Sequence, residues 1–219
     1  DLHIHTASSY DYDYKNEEDA DKLLCDNLIK NNIAAVAITD HFIISSKRIG
    51  NLRKLAKDIV FFPGVELRID KAGANTHVIL IFSETSDLKI LEEDFNAIML
   101  RDKAKSRSDD RTIYWCFEDV IDFARSHNAF ISIHAGSKEH GIDKITNAIP
   151  VIEAIKEDID KNVDFYEIGN LKYIDIYKNK VFKEIKEKPL ILCSDNHDPR
   201  NYVVKSNLWI KADLTFEGL

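Results

Sequence analysis

The chain has 219 residues, 44% of them hydrophobic and 31% charged, with a formal net charge of −8. That size and balance fit one soluble globular domain, and the chain holds neither an apolar run long enough to span a membrane nor a charged-then-apolar signal peptide. The negative charge argues against a surface clad in phosphate-binding basic residues.

In chain order, residues 2–6 predict a short strand and "NEEDADKLLCDNLIKNN" a helix. The continuous apolar run "IAAVAIT" (33–39) predicts a strand buried on both faces. A second helix is expected over 45–57, then strands at 59–67 and 76–82, and a helix over 87–100. The stretch "RDKAKSRSDDR" (101–111) carries Arg101, Lys103, Lys105, Arg107 and Arg111. It reads as a solvated loop, with a phosphate-contacting arm as the alternative. "FEDVIDFARSHN" is helical and leads into the strand "AFISIHA" (129–135). A helix over 142–160, a strand at 163–168, the helix "YIDIYKNKVFKEIKE" and strands at 189–194 and 207–212 complete the pattern.

Alternation of helices with near-continuous apolar strands argues for an α/β fold with a parallel sheet, closed or nearly closed into a barrel. An open doubly wound sheet is the alternative, but no GxGxxG or GxxxxGK[ST] follows any strand. Cys25, Cys116 and Cys193 have no CxxC spacing and read as small apolar side chains in a reducing, cytoplasmic setting. The chain starts with Asp, has Met99 as its one methionine and stops after "WIKADLTFEGL", so it is expected to be a piece of a longer protein.

The ionisable residues gather at the strand ends. In "DLHIH", His3 and His5 stand two apart and project from one face of a strand. "AITDH" ends the second apolar run with Asp40 and His41, "PGVEL" the third with Glu66, "ISIHAG" a later one with His134, and "LCSDNHD" the last of the set with Asp195 and His197. Glu167 in "EIGN" either lines the same mouth or supports a ligand. In a parallel barrel these C-terminal ends converge on one face. His77 is the exception: it stands at the start of its run, which requires an antiparallel strand or a later strand start. His127 and His140 fall at a helix end and in a loop, with His140 close enough to His134 to line the mouth. Imidazoles and carboxylates without sulfur suit Zn²⁺, Mn²⁺ or Fe²⁺. The set is too large for one ion, and two or three ions bridged by a carboxylate such as Glu66 fit it.

In this order, "DLHIHT", "TDH", "PGVE", "THV", "SIHAG" and "CSDNHD" resemble the PHP (polymerase and histidinol phosphatase) superfamily over nearly the whole chain. The resemblance implies one domain over residues 1–219, a distorted (β/α)7 TIM-like barrel with a two- or three-metal phosphoesterase centre at the strand C-termini. The metal ligands it implies are His3, His5, Asp11, His41, Glu66, His77, His134, Asp195 and His197, with Asp13 close beside the Asp11 position. The implied activity is hydrolysis of a phosphate mono- or diester, of a nucleotide or nucleic-acid type or a small molecule as in histidinol phosphatase. Asp40, Glu66 and Asp195 are the expected catalytic carboxylates, with Asp1 and Asp40 fixing imidazole tautomers. Lys138, His140 and Arg200 are expected to hold the substrate phosphate. "WIKADLTFEGL" also looks like the junction into a P-loop ATPase, an expected C-terminal partner domain. Two rival readings are C–N hydrolysis in an amidohydrolase-like barrel and a non-catalytic, metal-stabilised regulatory module of that ATPase.

Overall fold

The computed structural model describes residues 1–14, 16–71, 76–101, 114–142, 149–183, 185–206 and 208–219. The helices are α1 (Glu17–Lys30), α2 (Ser46–Leu55), α3 (Leu88–Arg101), α4 (Phe117–Ser126), α5 (Ile149–Asn162) and α6 (Lys172–Asn179). The strands are β1 (Ala35–Ile38), β2 (Val60–Ile69), β3 (Thr76–Ile81), β4 (Phe130–Ala135), β5 (Phe165–Ile168) and β6 (Leu190–Ile191). Beyond the backbone of Arg101, the basic stretch 101–111 lies outside the described residues.

The strands form one curled six-stranded sheet in the order β1-β2-β3-β4-β5-β6. The expectation of an all-parallel sheet is corrected at β3, which runs antiparallel to both β2 and β4 while the other pairs are parallel. The connection explains it. A parallel crossover takes about a dozen residues or more, and β2 ends at Ile69 while β3 begins at Thr76.

The predicted first strand is an extended segment rather than a ladder. Ile4 bridges Ile38 on one side and Asn196 on the other. Ala37 N–H donates to the Asp1 carbonyl, Asp195 N–H to that of His3, and His5 N–H to that of Asn196, at 3.0 Å each. The expected strand at 207–212 is not formed among its described residues, 208–212. The edge it would extend is already taken by residues 1–5. The strand expected at 189–194 shortens to β6 for the same reason that the first does: only a few residues pair before the chain turns into the site.

Alternation along the strands separates two apolar layers. Val65, Leu67, Ile69, Val78, Leu80, Ile131 and Ile133 pack outward against Leu91 and Phe95 of α3 and Val120 and Phe123 of α4. The opposite parity contributes Ala37, Phe62, Ile79, Ile81, Phe165, Ile191 and Cys193, a second apolar cluster. Along β2, Glu66 and Arg68 continue the face begun by Phe62, and along β5 Glu167 continues that of Phe165. The polar site therefore sits on an apolar floor built by the same strands. A third cluster joins Ile4, Val36 and Ile38 to Leu24 and Leu28 of α1 and Ile49 and Leu52 of α2. The three cysteines are free, and Cys25 and Cys193 are buried. No helix among the described residues is long and apolar enough to cross a membrane.

Candidate metal centre

Four overlapping groups bring three or more ligand-type atoms within 4.8 Å of one another: His5, His41 and His197; His3, His5, Glu66 and Asp195; His3, His134 and Glu167; Glu66, His77 and His134. Glu66 is the hub. Its Oε2 lies 3.0 Å from His3 Nε2, 3.1 Å from His5 Nε2 and 3.5 Å from His41 Nε2, and its Oε1 lies 2.6 Å from His77 Nδ1. Asp11 stands across from Glu66, with Oδ2 3.2 Å from His41 Nε2 and Oδ1 3.3 Å from His197 Nδ1. Reversal of β3 brings His77, at that strand's start, to the same rim as the other strands' ends.

Hydrogen bonds fix how the rings are turned. A carboxylate or carbonyl oxygen only accepts, so the nitrogen facing it carries the proton. His3 Nδ1 donates to Glu167 Oε2 at 2.8 Å, and His134 Nδ1 to the Glu139 carbonyl at 3.1 Å. Ser9 Oγ donates to Asp11 Oδ1 at 2.8 Å and receives His5 Nδ1 at 3.4 Å. The Nε2 atoms of His3, His5 and His134 are thus turned inward, those of His3 and His5 toward Glu66 and Asp195. His134 Nε2 is buried without a hydrogen-bond partner.

The donor set fits a metal ion. His3 Nε2 and His5 Nε2 are 3.0 Å apart, and each lies 3.0–3.4 Å from Glu66 Oε2 and Asp195 Oδ1. Four ligands on a tetrahedron about 2.05 Å from Zn²⁺ are about 3.3 Å from one another. Two imidazole nitrogens and two carboxylate oxygens at that spacing, all facing inward, are the donor types and the geometry such an ion requires.

The electrostatics are those of an anionic cage. Burial alone would lower the His3 pKa, but Asp195, Glu167 and Glu66 outweigh it and lift it to about 10. Burial likewise opposes ionisation of Glu66, yet His41, His3 and His77 hold it well below the usual carboxylate range. His134 goes the other way: burial, aided by Lys138, pushes it down to about 3, so its ring stays neutral. The charge pattern favours a cation inside the cage.

Other expected residues are placed as follows. Both Asp40 oxygens are taken by Thr6, through its N–H and hydroxyl at 2.6 Å each, so Asp40 clamps the turn after His5 and orients no ring. Asp1 accepts from Ser194 N–H at 3.1 Å and Tyr202 O–H at 2.9 Å. The carboxylate that orients His3 is Glu167. Lys138 is buried, with Nζ 2.6 Å from Glu167 Oε1 and 2.7 Å from Asp195 Oδ2. The His140 ring stacks on His77 at 4.5 Å and is partly exposed at the mouth. Arg200 is exposed and paired with Asp198. His127 lies apart, against Phe123 and Asp94. Sequence reasoning missed Ser9, Tyr10 and Arg68. Arg68 stands two residues past Glu66, on the same face of β2, and that spacing was its one visible signal.

No protein-family model matches the chain, and no curated protein matches it. Solved structures do. An amidohydrolase from Chromobacterium violaceum, with bound sulfate and no metal, matches at TM-score 0.56 and 16% identity over 91% of this chain and 87% of that one. A protein from Bifidobacterium adolescentis named as a metal-dependent phosphoesterase matches at TM-score 0.61 and 12% identity, over 95% and 91%. A two-domain protein from Bacteroides vulgatus containing a predicted PHP-like metal-dependent phosphoesterase matches at TM-score 0.55 and 18% identity, over 91% of this chain and 52% of that one. This chain shares their fold. At these identities the likeness is one of backbone, and the shared fold leaves the chemistry to be argued from the side chains.

Proposed function

We propose that the chain is a metal-dependent phosphoester hydrolase of the PHP superfamily, holding two or three divalent ions such as Zn²⁺ or Mn²⁺ at the rim of a distorted (β/α)7 barrel. The barrel reading is supported by residues 1–5, which hydrogen-bond to β1 on one side and to Asp195 and Asn196 on the other. The single observation that carries the function is the convergence on Glu66 of His3, His5, His41 and His77 within 3.5 Å. So many buried imidazoles around one carboxylate have no use in packing, since each needs a polar partner.

When bound, ions in such a centre polarise a phosphoryl oxygen, generate a hydroxide-like water and stabilise the leaving oxygen. The chain's own residues do the rest. Glu66 reaches four histidines and Asp195 three, and so fix their spacing. Glu167 and Ser9 hold His3 and His5 with Nε2 turned inward. Lys138 keeps Glu167 and Asp195 ionised and in register. His140, over the mouth, is the residue of the expected substrate set best placed to meet a substrate. The proposed substrate is a phosphate ester of nucleotide or small-molecule type, and the proposed setting is the cytoplasm, with an ATPase domain following in the full protein.

The test is elemental analysis followed by a panel of p-nitrophenyl phosphate mono- and diesters, histidinol phosphate, nucleotides and single-stranded DNA with each metal. Metal-dependent cleavage that chelator abolishes and Asp195→Asn eliminates is the expected result. The match to an amidohydrolase favours C–N hydrolysis as the second reading, and a loaded protein that cleaves amides and no ester would establish it. A loaded protein that cleaves nothing supports a regulatory module.

A further inference from the structure

We infer that Arg68 binds the phosphoryl group of the substrate: the open end of its guanidinium is a seat for anionic oxygens beside the metal centre. This role rests on the proposed phosphoesterase reading and supplies the phosphate-binding cation of that site.

The two cations expected to hold the phosphate are engaged elsewhere. Lys138 Nζ is shared between Glu167 and Asp195, and Arg200 is exposed and held by Asp198. Arg68 is buried, 7% exposed, yet it pairs with no carboxylate among the described residues. Buried charges are ordinarily paired. Arg48 shows the ordinary case at the same 7% exposure, with Nη1 2.6 Å from Asp21 Oδ1.

The strand puts this unpaired cation beside the metal centre. Residues two apart along β2 share a face, so Arg68 follows Glu66, and the register sets it opposite His77 of β3. Its guanidinium lies 5.5 Å over the Phe42 ring, which supports the planar cation from one side. A guanidinium is a rigid fork of N–H donors. One edge of the fork, Nε with Nη2, faces rim residues: Nε is 3.3 Å from His77 Nε2, and Nη2 donates to the Tyr10 hydroxyl oxygen at 2.8 Å. The end of the fork, Nη1 with the second N–H of Nη2, remains. Nη1 is buried with no hydrogen-bond partner among the described residues.

Two parallel N–H groups on a guanidinium match two oxygens of a phosphoryl group. An oxyanion there supplies the missing counter-charge and accepts the unmade hydrogen bond in one step. Tyr10 is 46% exposed, with its ring 5.0 Å from that of His41. It is the neighbour of Arg68 best able to yield, so a ligand oxygen reaches the guanidinium past Tyr10.

The experiment is calorimetric titration of the Zn²⁺-loaded protein with inorganic phosphate, with the metal content of every variant read by elemental analysis. Arg68→Met is expected to keep its metal and lose about 10–100-fold in phosphate affinity, the worth of a hydrogen bond to a charged group. The KM for p-nitrophenyl phosphate should rise in step. Arg68→Lys keeps the charge without the fork and should fall between the two. Arg125→Met removes an exposed charge from α4 and should bind phosphate within twofold of wild type. Should Arg68→Met fail to fold or lose its metal, the wild type still decides: the ¹⁵N resonances of the Arg68 guanidinium, assigned with Arg68→Lys, should shift saturably as phosphate is added. An Arg68→Met protein that keeps its metal and binds phosphate within twofold of wild type overturns the inference. So does an equal loss in Arg125→Met, or a guanidinium signal that phosphate leaves unmoved. Those results leave the metal centre standing, whereas a protein that takes up no ion fails the metal-centre reading and this inference with it.

Discussion

Glu167→Gln isolates the role of a carboxylate that touches no solvent. Its two oxygens are committed to His3 Nδ1 at 2.8 Å and Lys138 Nζ at 2.6 Å, both donors. Glutamine matches the shape but offers one acceptor oxygen, so one buried donor loses its partner. Removing one member of a buried ion pair costs about 3–5 kcal/mol. Lys138 keeps Asp195 at 2.7 Å, which places the loss at the lower end, about 3 kcal/mol. For a chain of this length about 2–4 °C follow each kcal/mol, so the midpoint should fall by roughly 6–12 °C. Metal binding should weaken too, because His3 loses the group that fixes its tautomer, and such supporting partners are worth about 10–100-fold in affinity. Calorimetry on chelator-stripped protein reads the first effect, and competition against a chromophoric chelator reads the second. A variant that melts lower but binds metal within twofold of wild type would refute the orienting role and leave Glu167 a packing residue.

Gly64→Ala should destabilise by about 1–3 kcal/mol through overpacking, because its Cβ would sit 2.7 Å from the Leu80 carbonyl oxygen and 3.0 Å from that of Ile38. Gly50→Ala, in α2 with nothing within 4 Å, should instead stabilise by about 0.5–1 kcal/mol; opposite shifts in urea midpoint check both. Under native conditions a thiol reagent should label Cys116 first, since Cys25 and Cys193 are buried and burial pushes each thiol up to about 12; equal labelling of all three by mass spectrometry would contradict the core. Chelator should lower the melting temperature, because an ion held at a hundredfold over its Kd contributes about 2.7 kcal/mol, whereas His127→Ala should leave metal content unchanged.

The legible part of the site was the part carried by strand ends. His3 and His5, two apart, and Glu66, His134 and Asp195, each closing an apolar run, needed only the alternation of side chains to be placed together. His77 stands at the wrong end of its run, and the antiparallel β3 is the physical answer. What could not be read was the choice among carboxylates. Asp1 and Asp40 neighbour the histidines in sequence, but their oxygens go to Ser194, Tyr202 and Thr6. Glu167 orients His3 across 164 residues. The run "NLWIKA" failed for a long-range reason as well: it has strand composition but no open edge, and Trp209 is left 86% exposed.

The charge of the centre bears on the class of ester. Four carboxylates, Asp11, Glu66, Glu167 and Asp195, face two permanent cations, Lys138 and Arg68. Ligating imidazoles are neutral. With the histidines neutral, as ligands are, these side chains sum to two negative charges, and two divalent ions reverse that to two positive ones. A phosphate monoester dianion cancels this charge, whereas a diester monoanion leaves half of it in a buried site where unbalanced charge is costly. On the proposed reading, the loaded protein should therefore favour p-nitrophenyl phosphate over the matching diester. Arg68→Met removes one positive charge and should narrow that preference. The ratio of kcat/KM for the two esters, measured above the second pKa of the monoester, is the check. A clear preference for the diester would show that the charge count does not govern substrate choice.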